Sequence, residues 1–492
     1  MAKQYVGWAL GVAAALGVAQ VSGSYFLGKQ IQERLPETLD RFSGVRINRH
    51  IEIASVSTTS YERGWLTSDV TVEYRFRLGS QARTVFQDFL APDPETGEVP
   101  STIPFTADIH LQHGPVVWTG AGLPAFGAAA LTASAPWPED FRPILEPSLQ
   151  GKTLASYQGT LGLDGAIQAD FRFKGYEGKV RDSKLGLAWK PLRGHTRFAP
   201  RENGFVNEER GRMALIRIER PTGTVEMHDL ELASLLGSRE GELVKRKTDV
   251  RVQKVTGSGP ESRKFLEVSA LRFSHGFRTK RGELRADGRL AFDELSIRQA
   301  RFRKGKLAWK GRQLNPEAFR RLREKAGLME DGSRHPYQKQ IAPLLPDIRQ
   351  LLGDSPELEI TELAVETDAG SIKGWARYRF DAAIDGDRII TQLKRGSRLK
   401  ARLDLPKSYL LLAARPFASQ AVERIARQRG GLSAPRKDQL VGRVTAQLVG
   451  KLIRSGLFVS RGDGYRSDLL LEDGQWRING RPGRQVFQAF SG

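Results

Sequence analysis

The chain has 492 residues, of which 39% are hydrophobic, and its mean hydropathy is −0.41. This length is enough for two or three globular domains with sizeable cores. No cysteine is present, which excludes disulfide scaffolds, cysteine zinc sites and thiol nucleophiles, and the formal net charge of +21 favours acidic partners such as nucleic acid or anionic lipid head groups.

The first element in chain order is an apolar stretch, because no charged residue lies between Lys3 and Lys29. About 20 such residues in a helix cross a ~30 Å hydrocarbon core, so residues 1–28 predict a signal-anchor helix. A cleaved signal peptide with a small-residue site at 17–19 is the alternative. Either interpretation exports the rest of the chain and removes nucleic acid as a partner. The predicted membrane-anchoring residues are Tyr5, Trp8, Leu10, Val12, Leu16, Val18, Val21, Phe26 and Leu27.

A short amphipathic helix is predicted next, over residues 30–42. Ile31, Leu35 and Leu39 fall on one side of it at helical spacing. We interpret this helix as a stalk that lifts the body of the protein off the membrane.

The pattern then changes to strict alternation of apolar and polar residues, as in residues 69–78, which predicts half-buried strands. Asp164-Gly165 predicts a two-residue type I′ turn between strands at 157–163 and 166–174. Further strands are predicted around 105–111, 215–219, 224–232, 249–255, 265–277 and 284–303. The stretches 201–212 and 237–247 are predicted to be polar loops, and 120–133 a buried helix or docking segment.

Helical patterns appear in the last third of the chain. Asn315 is predicted to cap a helix that runs to about residue 325, because an asparagine side chain accepts a hydrogen bond from the first turn. Other predicted helices are 338–352, 407–427 and 437–457, and predicted strands are 358–367, 371–380, 399–405, 465–471 and 475–478.

These patterns predict an α+β fold: an N-terminal transmembrane helix followed by long, curved, mainly antiparallel β-sheets packed with amphipathic helices. One apolar and one charged face on many strands favours antiparallel sheets that are open to water on one side. The predicted domains are the anchor at 1–28, a β-rich periplasmic domain at 29–312 and an α+β periplasmic domain at 313–492.

Motifs for known chemistries do not occur in the sequence. There is no P-loop, no nucleophile elbow and no HExxH zinc motif. His110 and His113 are three apart on a predicted strand and point to opposite sides, so they do not predict a metal site. We therefore expect no cofactor, no metal and no catalytic residue.

Residues 60–69 contain a combination of residue types that the alternation of a strand does not explain. This run contains Tyr61, Arg63, Gly64, Trp65 and Ser68. We interpret it as a structural corner, with a tight turn at Arg63-Gly64, Trp65 in the core and Ser68 bonded to backbone groups. The alternative is a docking edge, because Tyr, Arg and Trp are enriched at interface hot spots.

This run resembles the Tyr-x-Arg-Gly-aromatic/Leu-x-Ser signature of the YdgA-like family of Gram-negative bacterial envelope proteins, whose molecular function is unknown. Residues 25–29, 113–115, 314–317, 355–358 and 473–480 match that family's pattern in the same order. The resemblance implies a single-pass inner-membrane protein with the bulk of the chain in the periplasm, and it brings no catalytic residues. The strong basic charge departs from the family's usual pattern.

The function predicted from these observations is non-enzymatic. We expect a membrane-anchored periplasmic protein that binds lipid or an envelope protein partner through its amphipathic sheets. A second copy of the chain, forming a homo-oligomer, is a further partner that this hypothesis allows. The alternative is a hydrolase of peptidoglycan or another envelope polyanion whose active site carries no known motif.

Overall fold

The computed structural model describes residues 51–79, 83, 97–114, 116–118, 124–137, 153–179, 184–239, 242–260, 264–280, 282–297, 300–319, 321–322, 344–353, 355–380, 395–428 and 433–491, together with 24–26, 28–33, 35–36, 39–40 and 43–44. The chain forms two compact units. Unit 1 comprises residues 1–264 with 322–343, and unit 2 comprises 265–321 with 344–492. Whether 29–312 and 313–492 are independently folding domains stays a prediction.

Unit 1 is an antiparallel meander. Its strands pair in the order β1–β2–β3–β6–β7–β8–β11–β12–β13–β14, with β10 paired to β9 and β12, while β4 and β5 form a separate pair. The strands are β1 (Ile51–Arg63), β2 (Thr67–Leu78), β3 (Thr102–His113), β4 (Val116–Trp118), β5 (Pro124–Phe126), β6 (Ala129–Pro136), β7 (Thr153–Leu161), β8 (Ile167–Phe173), β9 (Tyr176–Lys179), β10 (Gly186–Trp189), β11 (Leu192–Arg201), β12 (Gly204–Arg220), β13 (Gly223–Arg239) and β14 (Glu242–Ser258).

Unit 2 is a second antiparallel meander with helices inserted between its strands. The pairing order is β15–β16–β17–β18–β19–β20–β22–β23–β24, and β21 also pairs with β22. Its elements are β15 (Lys264–Lys280), β16 (Glu283–Ile297), β17 (Ala300–Leu314), α1 (Leu345–Gly353), β18 (Glu357–Thr367), β19 (Gly370–Phe380), β20 (Ser397–Pro406), α2 (Lys407–Gln428), α3 (Ala434–Arg454), β21 (Val459–Arg461), β22 (Gly464–Glu472), β23 (Gln475–Ile478), β24 (Arg481–Pro482) and α4 (Gly483–Ser491).

The core of unit 1 lies where helical residues between 24 and 40 pack on the first strands. Leu39, Val70 and Val72 are at most 8% exposed in one apolar cluster, with Ile31 and Leu35 packed against it. The amphipathic helix therefore covers the sheet, and its interpretation as a stalk is wrong. Its apolar side at i, i+4, i+8 meets the apolar side of the alternating strands, which removes both from water.

The core of unit 2 forms at β19 and β20 under helices α2 and α3. Ile372 and Leu405 from the strands contact Leu410 and Ala414 of α2 and Val449 of α3. Helix α2 begins directly after β20 and carries a row of buried residues spaced by four, Leu410, Ala414, Ala418 and Val422. The first two pack against the strands, and the last two pack with Val441 of α3.

The predicted α+β fold with an N-terminal transmembrane helix is contradicted. Among the described residues 64% are in strands and 23% in helices, so these residues form mainly antiparallel sheet rather than sheets wrapped around helices. No helix within the described part of the chain is long and apolar enough to cross a membrane. The β-sheet content itself is confirmed.

The sheet is larger than predicted because residues 201–212 and 237–247, which were predicted to be loops, are mostly strand. Both belong largely to 17-residue strands, β12, β13 and β14. Charged residues there find partners across the sheet, as Arg212 does with Glu231, so the strands keep a water-facing polar side without ending. Residues 129–133, within the predicted buried helix, belong to strand β6.

Two local predictions have different outcomes. The side-chain oxygen of Asn315 accepts a hydrogen bond from the backbone N–H of Ala318 at 2.9 Å, so the predicted helix cap is present. The turn at Asp164-Gly165 is not the predicted two-residue turn, because β7 ends at Leu161 and β8 starts at Ile167. Only Gly165 among these loop residues has a positive φ, and a type I′ turn needs two.

Candidate functional site: a buried motif cluster and an open apolar face

Three separate segments singled out in the sequence meet in unit 1. The hydroxyl oxygen of Ser68 lies 2.7 Å from Nε2 of His113, and both side chains are at most 1% exposed. Ser24 donates a hydrogen bond to the carbonyl oxygen of His113 at 2.9 Å. Residues from 24–28, 61–68 and 113 therefore form one cluster, which we call the motif cluster.

Close approach of the helix to the sheet explains Gly28. A Cβ atom at this position would lie 3.0 Å from Cδ2 and 3.1 Å from Nε2 of the His113 ring. The hydroxyl of Tyr61 donates to the Gly28 carbonyl oxygen at 3.5 Å. Glycine thus allows the helix to sit directly on the imidazole.

A turn follows Arg63-Gly64 as predicted, but Trp65 and Ser68 make other contacts than predicted: the Ser68 hydroxyl bonds to the His113 ring and not to backbone. The N–H of Gly64 donates to the carbonyl oxygen of Thr67 at 2.8 Å, which closes the turn. Trp65 is 69% exposed, so its predicted place in the core is wrong. Its ring instead packs 5.4 Å from that of Tyr25, and the Arg63 guanidinium lies 4.7 Å above the Tyr25 ring. Arg63 also donates to the Tyr25 hydroxyl at 3.2 Å.

Burial sets the charge state of the cluster. Burial, and then the positive charge of Arg63 and the neighbouring His110, lower the pKa of His113, which favours a neutral imidazole. Burial raises the pKa of Tyr61, against the opposing effects of its hydrogen bond with Ser68 and of Arg63. The neutral ring accepts or donates at Nε2, and Nδ1 has no hydrogen-bond partner in the described structure.

A serine hydroxyl bonded to a histidine nitrogen also occurs in enzymes, where serine is the nucleophile and histidine is the base. Here both groups are covered by the helix, and Nδ1 lacks the orienting acceptor that such arrangements use. The contact therefore links β2 to β3 beneath the helix, and the hydrogen bonds of Ser24 and Gly28 fasten the helix to the sheet. Within the described residues no group of three or more metal-ligating side chains comes together.

The predicted anchor residues lie outside the described residues, except Phe26. Phe26 is helical and 64% exposed, and its ring lies 6.1 Å from that of Tyr25. Of the predicted motif residues, the structure brings Tyr61, Arg63 and Ser68 together with Tyr25 and His113.

A second feature is the apolar face of unit 2. Residues directly opposite each other in antiparallel strands point to the same side, so the strand register defines rows across the sheet. Three neighbouring rows are almost entirely apolar. They are Phe273, Leu290, Leu307, Leu363, Gly374 and Leu403; His275, Gly288, Trp309, Ile360, Ala376, Ala401, Leu469 and Ile478; and Phe277, Ala286, Gly311, Leu358, Tyr378, Leu399, Leu471 and Trp476.

Aromatic rings lie flat on this face because glycines sit beneath them. A Cβ atom at Gly288 would lie 2.0 Å from Cζ2 of Trp309, and one at Gly305 would lie 2.1 Å from Cζ of Phe292. The ring centroids of Phe273 and Trp309 are 6.2 Å apart. Aromatic side chains over glycines make an apolar surface of low relief.

Part of the face is exposed. Leu358 is 48% exposed, Ile360 37% and Phe273 36%, and with Trp309 they form what we call the open stretch, on β15, β17 and β18. The opposite side of these strands is polar, and its charges pair across the sheet, as Arg377 does with Glu357. Large apolar side chains exposed within one patch are typical of interaction surfaces.

Two parts of this picture were missed by sequence reasoning. Ser68 and His113 are 45 residues apart, and their pairing follows from the β2–β3 register. Their contact could have been suspected from the sequence because both residues belong to segments that resemble the same family. The open stretch gave no local signal, because alternation is the same in covered and uncovered strands.

Comparison with known proteins identifies a family but no individual relative. No curated protein and no solved structure matches the chain. A family model matches residues 1–483, nearly the whole chain. The chain therefore belongs to the family described as bacterial protein of unknown function, DUF945.

Proposed function

We propose that the protein binds a lipid, or another amphiphile with an acyl chain, on the apolar face of unit 2 and has no catalytic role. The observation that carries this proposal is the open stretch, where Leu358 and Ile360 on β18 and Phe273 on β15 stay between 36% and 48% exposed, with the Trp309 ring of β17 between them. Burying such side chains gains about 25 cal/mol for each Å² of apolar surface removed from water.

The shape of the face supports a flexible acyl chain over a protein partner. Trp309 and Phe292 lie flat over glycines and offer few cavities for the knobs of a partner helix. Backbone polar groups in the strands are already paired within the sheet, so little on this face would bind a partner by hydrogen bonds. An acyl chain needs apolar contact and no hydrogen bonds.

Charge supports an anionic head group. The net charge of +21 raises the local concentration of anionic amphiphiles near the protein. A basic surface and an apolar face together match a molecule with a negative head and an apolar tail.

The proposed location is the periplasm of a bacterial cell. Its support is the resemblance of residues 60–69, 113–115 and 473–480 to YdgA-like envelope proteins. The family match adds that the family is bacterial. A reporter domain fused to the C-terminus, active only in the periplasm or only in the cytoplasm, tests this location directly.

The binding test uses a fluorescent fatty acid titrated into the full chain. The double variant Leu358→Glu and Ile360→Glu places two charges in the open stretch, where both side chains are exposed enough to leave folding intact. The matched control is Phe417→Glu on α2, because Phe417 is 69% exposed and lies outside the three rows. We expect the double variant to weaken binding at least tenfold and the control to leave it unchanged.

Two results would contradict the proposal. One is that the wild-type chain does not bind the fatty acid. The other is that the control weakens binding as much as the double variant, which would mean that the probe adheres to any exposed apolar residue.

A further inference from the structure

The polar side of unit 1 carries a groove of about 1000 Å³ that the proposed lipid binding does not use. Two rows of polar side chains line it across β1, β2, β3, β6, β7, β8 and β11. The apolar residues directly beside them, such as Val70 and Ile109, point to the other side of the sheet. The groove is therefore a polar site.

Charge changes sign along the groove. Asp69 and Asp108 lie at the β2–β3 end. Thr132, Ser134, Ser156 and Gln158 form a neutral middle on β6 and β7. Arg172 and Arg193 lie at the β8–β11 end.

The two arginines lie next to each other without a negatively charged partner among the described residues. Arg172 lies directly opposite Arg193 in the sheet, and like charges in that position destabilise a strand pair. Neither forms an ion pair or a side-chain hydrogen bond within the described residues. The nearest carboxylates contact other residues: Oδ1 of Asp170, which also lines the groove, lies 3.0 Å from Nδ1 of His195, and Glu231 pairs with Arg212. Two guanidinium groups without a counter-ion suit a carboxylate or phosphate, which they can bind through paired N–H groups.

The acidic end suits a cationic group. Asp69 lies 2.7 Å from Nδ1 of His110, and Asp108 accepts a hydrogen bond from Thr71 at 3.0 Å. Each contact uses one oxygen of its carboxylate, so the other oxygen stays available to an ammonium group.

The distance between the two ends sets the length of the ligand. Three strand-to-strand steps separate β3 from β8, and five separate β2 from β11, so at about 4.8 Å a step the two charged ends are about 14 to 24 Å apart. An extended peptide of about five residues covers ~17 Å at about 3.3 Å per residue, which lies within this range. Hydroxyl and amide side chains in the middle can exchange hydrogen bonds with the peptide's N–H and C=O groups.

We propose that this groove binds a short extended peptide with free ends, its carboxylate on Arg172 and Arg193 and its amino group on Asp69 and Asp108.

Calorimetric titration of the full chain with pentaalanine tests the proposal at low salt. The comparison peptides are the same pentaalanine with an amidated C-terminus and with an acetylated N-terminus. We expect each blocked peptide to bind at least tenfold more weakly than the free one. The double variant Arg172→Gln and Arg193→Gln should bind the free peptide at least tenfold more weakly and should no longer distinguish it from the amide.

Arg251→Gln is the matched control, because Arg251 belongs to the same polar row, past Arg212 and Glu231, and does not line the groove. It should bind like the wild type. The double variant removes a like-charge pair, so its melting temperature should not fall, which separates lost binding from lost folding. The proposal is overturned if no pentaalanine binds, if the free and amidated peptides bind alike to the wild type, or if the double variant binds like the wild type.

Discussion

Leu405 and Leu358 lie on the same apolar face of unit 2, yet Leu405 is 8% exposed and Leu358 is 48% exposed. Leu405 belongs to the covered stretch, where α2 and α3 pack on β19 and β20. Leu358 belongs to the open stretch. The difference shows that alternation determines which side of a strand is apolar, while the connection that follows the strand determines whether that side is covered.

Unit 1 repeats the same division. Its first strands are covered by helical residues, and Val72 there is fully buried. Leu232, further along the sheet on β13, is 38% exposed. In both units helices cover one end of the apolar face, and apolar side chains further along it stay partly exposed.

The largest expected effect comes from a matched pair of leucine substitutions. Leu405→Ala should lower the free energy of unfolding by about 2–5 kcal/mol, because it leaves a cavity under α2. Leu358→Ala should lower it by less than about 0.5 kcal/mol, because its side chain already faces water. Urea unfolding of both variants measures the difference. Equal losses would mean that the open stretch is covered in solution.

Ser68→Ala tests the buried contact between β2 and β3 on which the unit 1 helix rests. The substitution removes the hydrogen-bond partner of Nε2 on a buried histidine, so the free energy of unfolding should fall by about 1–3 kcal/mol. Thermal unfolding measures this loss. Ser57→Ala on β1, an exposed serine in the same sheet, is the control and should change little. An unchanged stability in Ser68→Ala would show that the Ser68–His113 contact does not stabilise the motif cluster.

A pair of glycine substitutions should give effects of opposite sign. Alanine is favoured over glycine in helices by about 1 kcal/mol, and Gly442→Ala in α3 should gain up to that amount because nothing lies within 4 Å of the new Cβ. Gly28→Ala should instead lose stability, because its Cβ would meet the His113 ring at 3.0 Å and Ser68 holds that ring in place. If both substitutions stabilise the protein, the helix does not rest on His113.

The smallest expected effect is the pH dependence of the motif cluster. The pKa of folded His113 is lowered by burial, so above its unfolded value of about 6.5 the ring is neutral in both states and contributes no pH dependence. As the pH falls below that value the unfolded chain binds a proton that the folded chain does not, and the free energy of unfolding decreases. The difference in stability between wild type and His113→Gln should therefore shrink from neutral to acid pH. A difference that stays constant, or grows, contradicts a buried neutral His113.

Local pattern predicted much of the secondary structure. The alternation in residues 69–78 matches β2, and the helical spacing in 407–427 and 437–457 matches α2 and α3 closely. Each of these elements has one clear apolar side, and that side is buried against a partner. The pattern and the packing therefore agree.

The same reasoning failed where both sides of a strand face water. Residues 201–212 are rich in arginine and glutamate, and such composition predicts a loop if the neighbouring strands are unknown. In the sheet such charges can face an oppositely charged residue on the next strand, as Arg212 does with Glu231. Cross-strand pairing is set by register over long distances, which a single local window does not contain.

The candidate sites were predictable only in part. The unusual residues of 61–68 were found from sequence, yet the position of Trp65 was wrong because a turn residue can pack on a neighbouring ring, here Tyr25, and stay exposed. His113 was rejected as a metal ligand and placed in the family-like segment 113–115, and neither interpretation predicted its contact with Ser68. Its role depends on a helix that arrives from residues 24–40 and covers it.

The most direct test of the central claim, that the open stretch of unit 2 takes an acyl chain, is photocrosslinking with a diazirine fatty acid followed by mass-spectrometric mapping. The account predicts crosslinks on β15, β17 and β18 around Phe273, Trp309, Leu358 and Ile360, lost when excess unlabelled fatty acid is present. Crosslinks confined to the exposed side of α2, such as Leu412 and Phe417, or spread evenly over the chain, would contradict it.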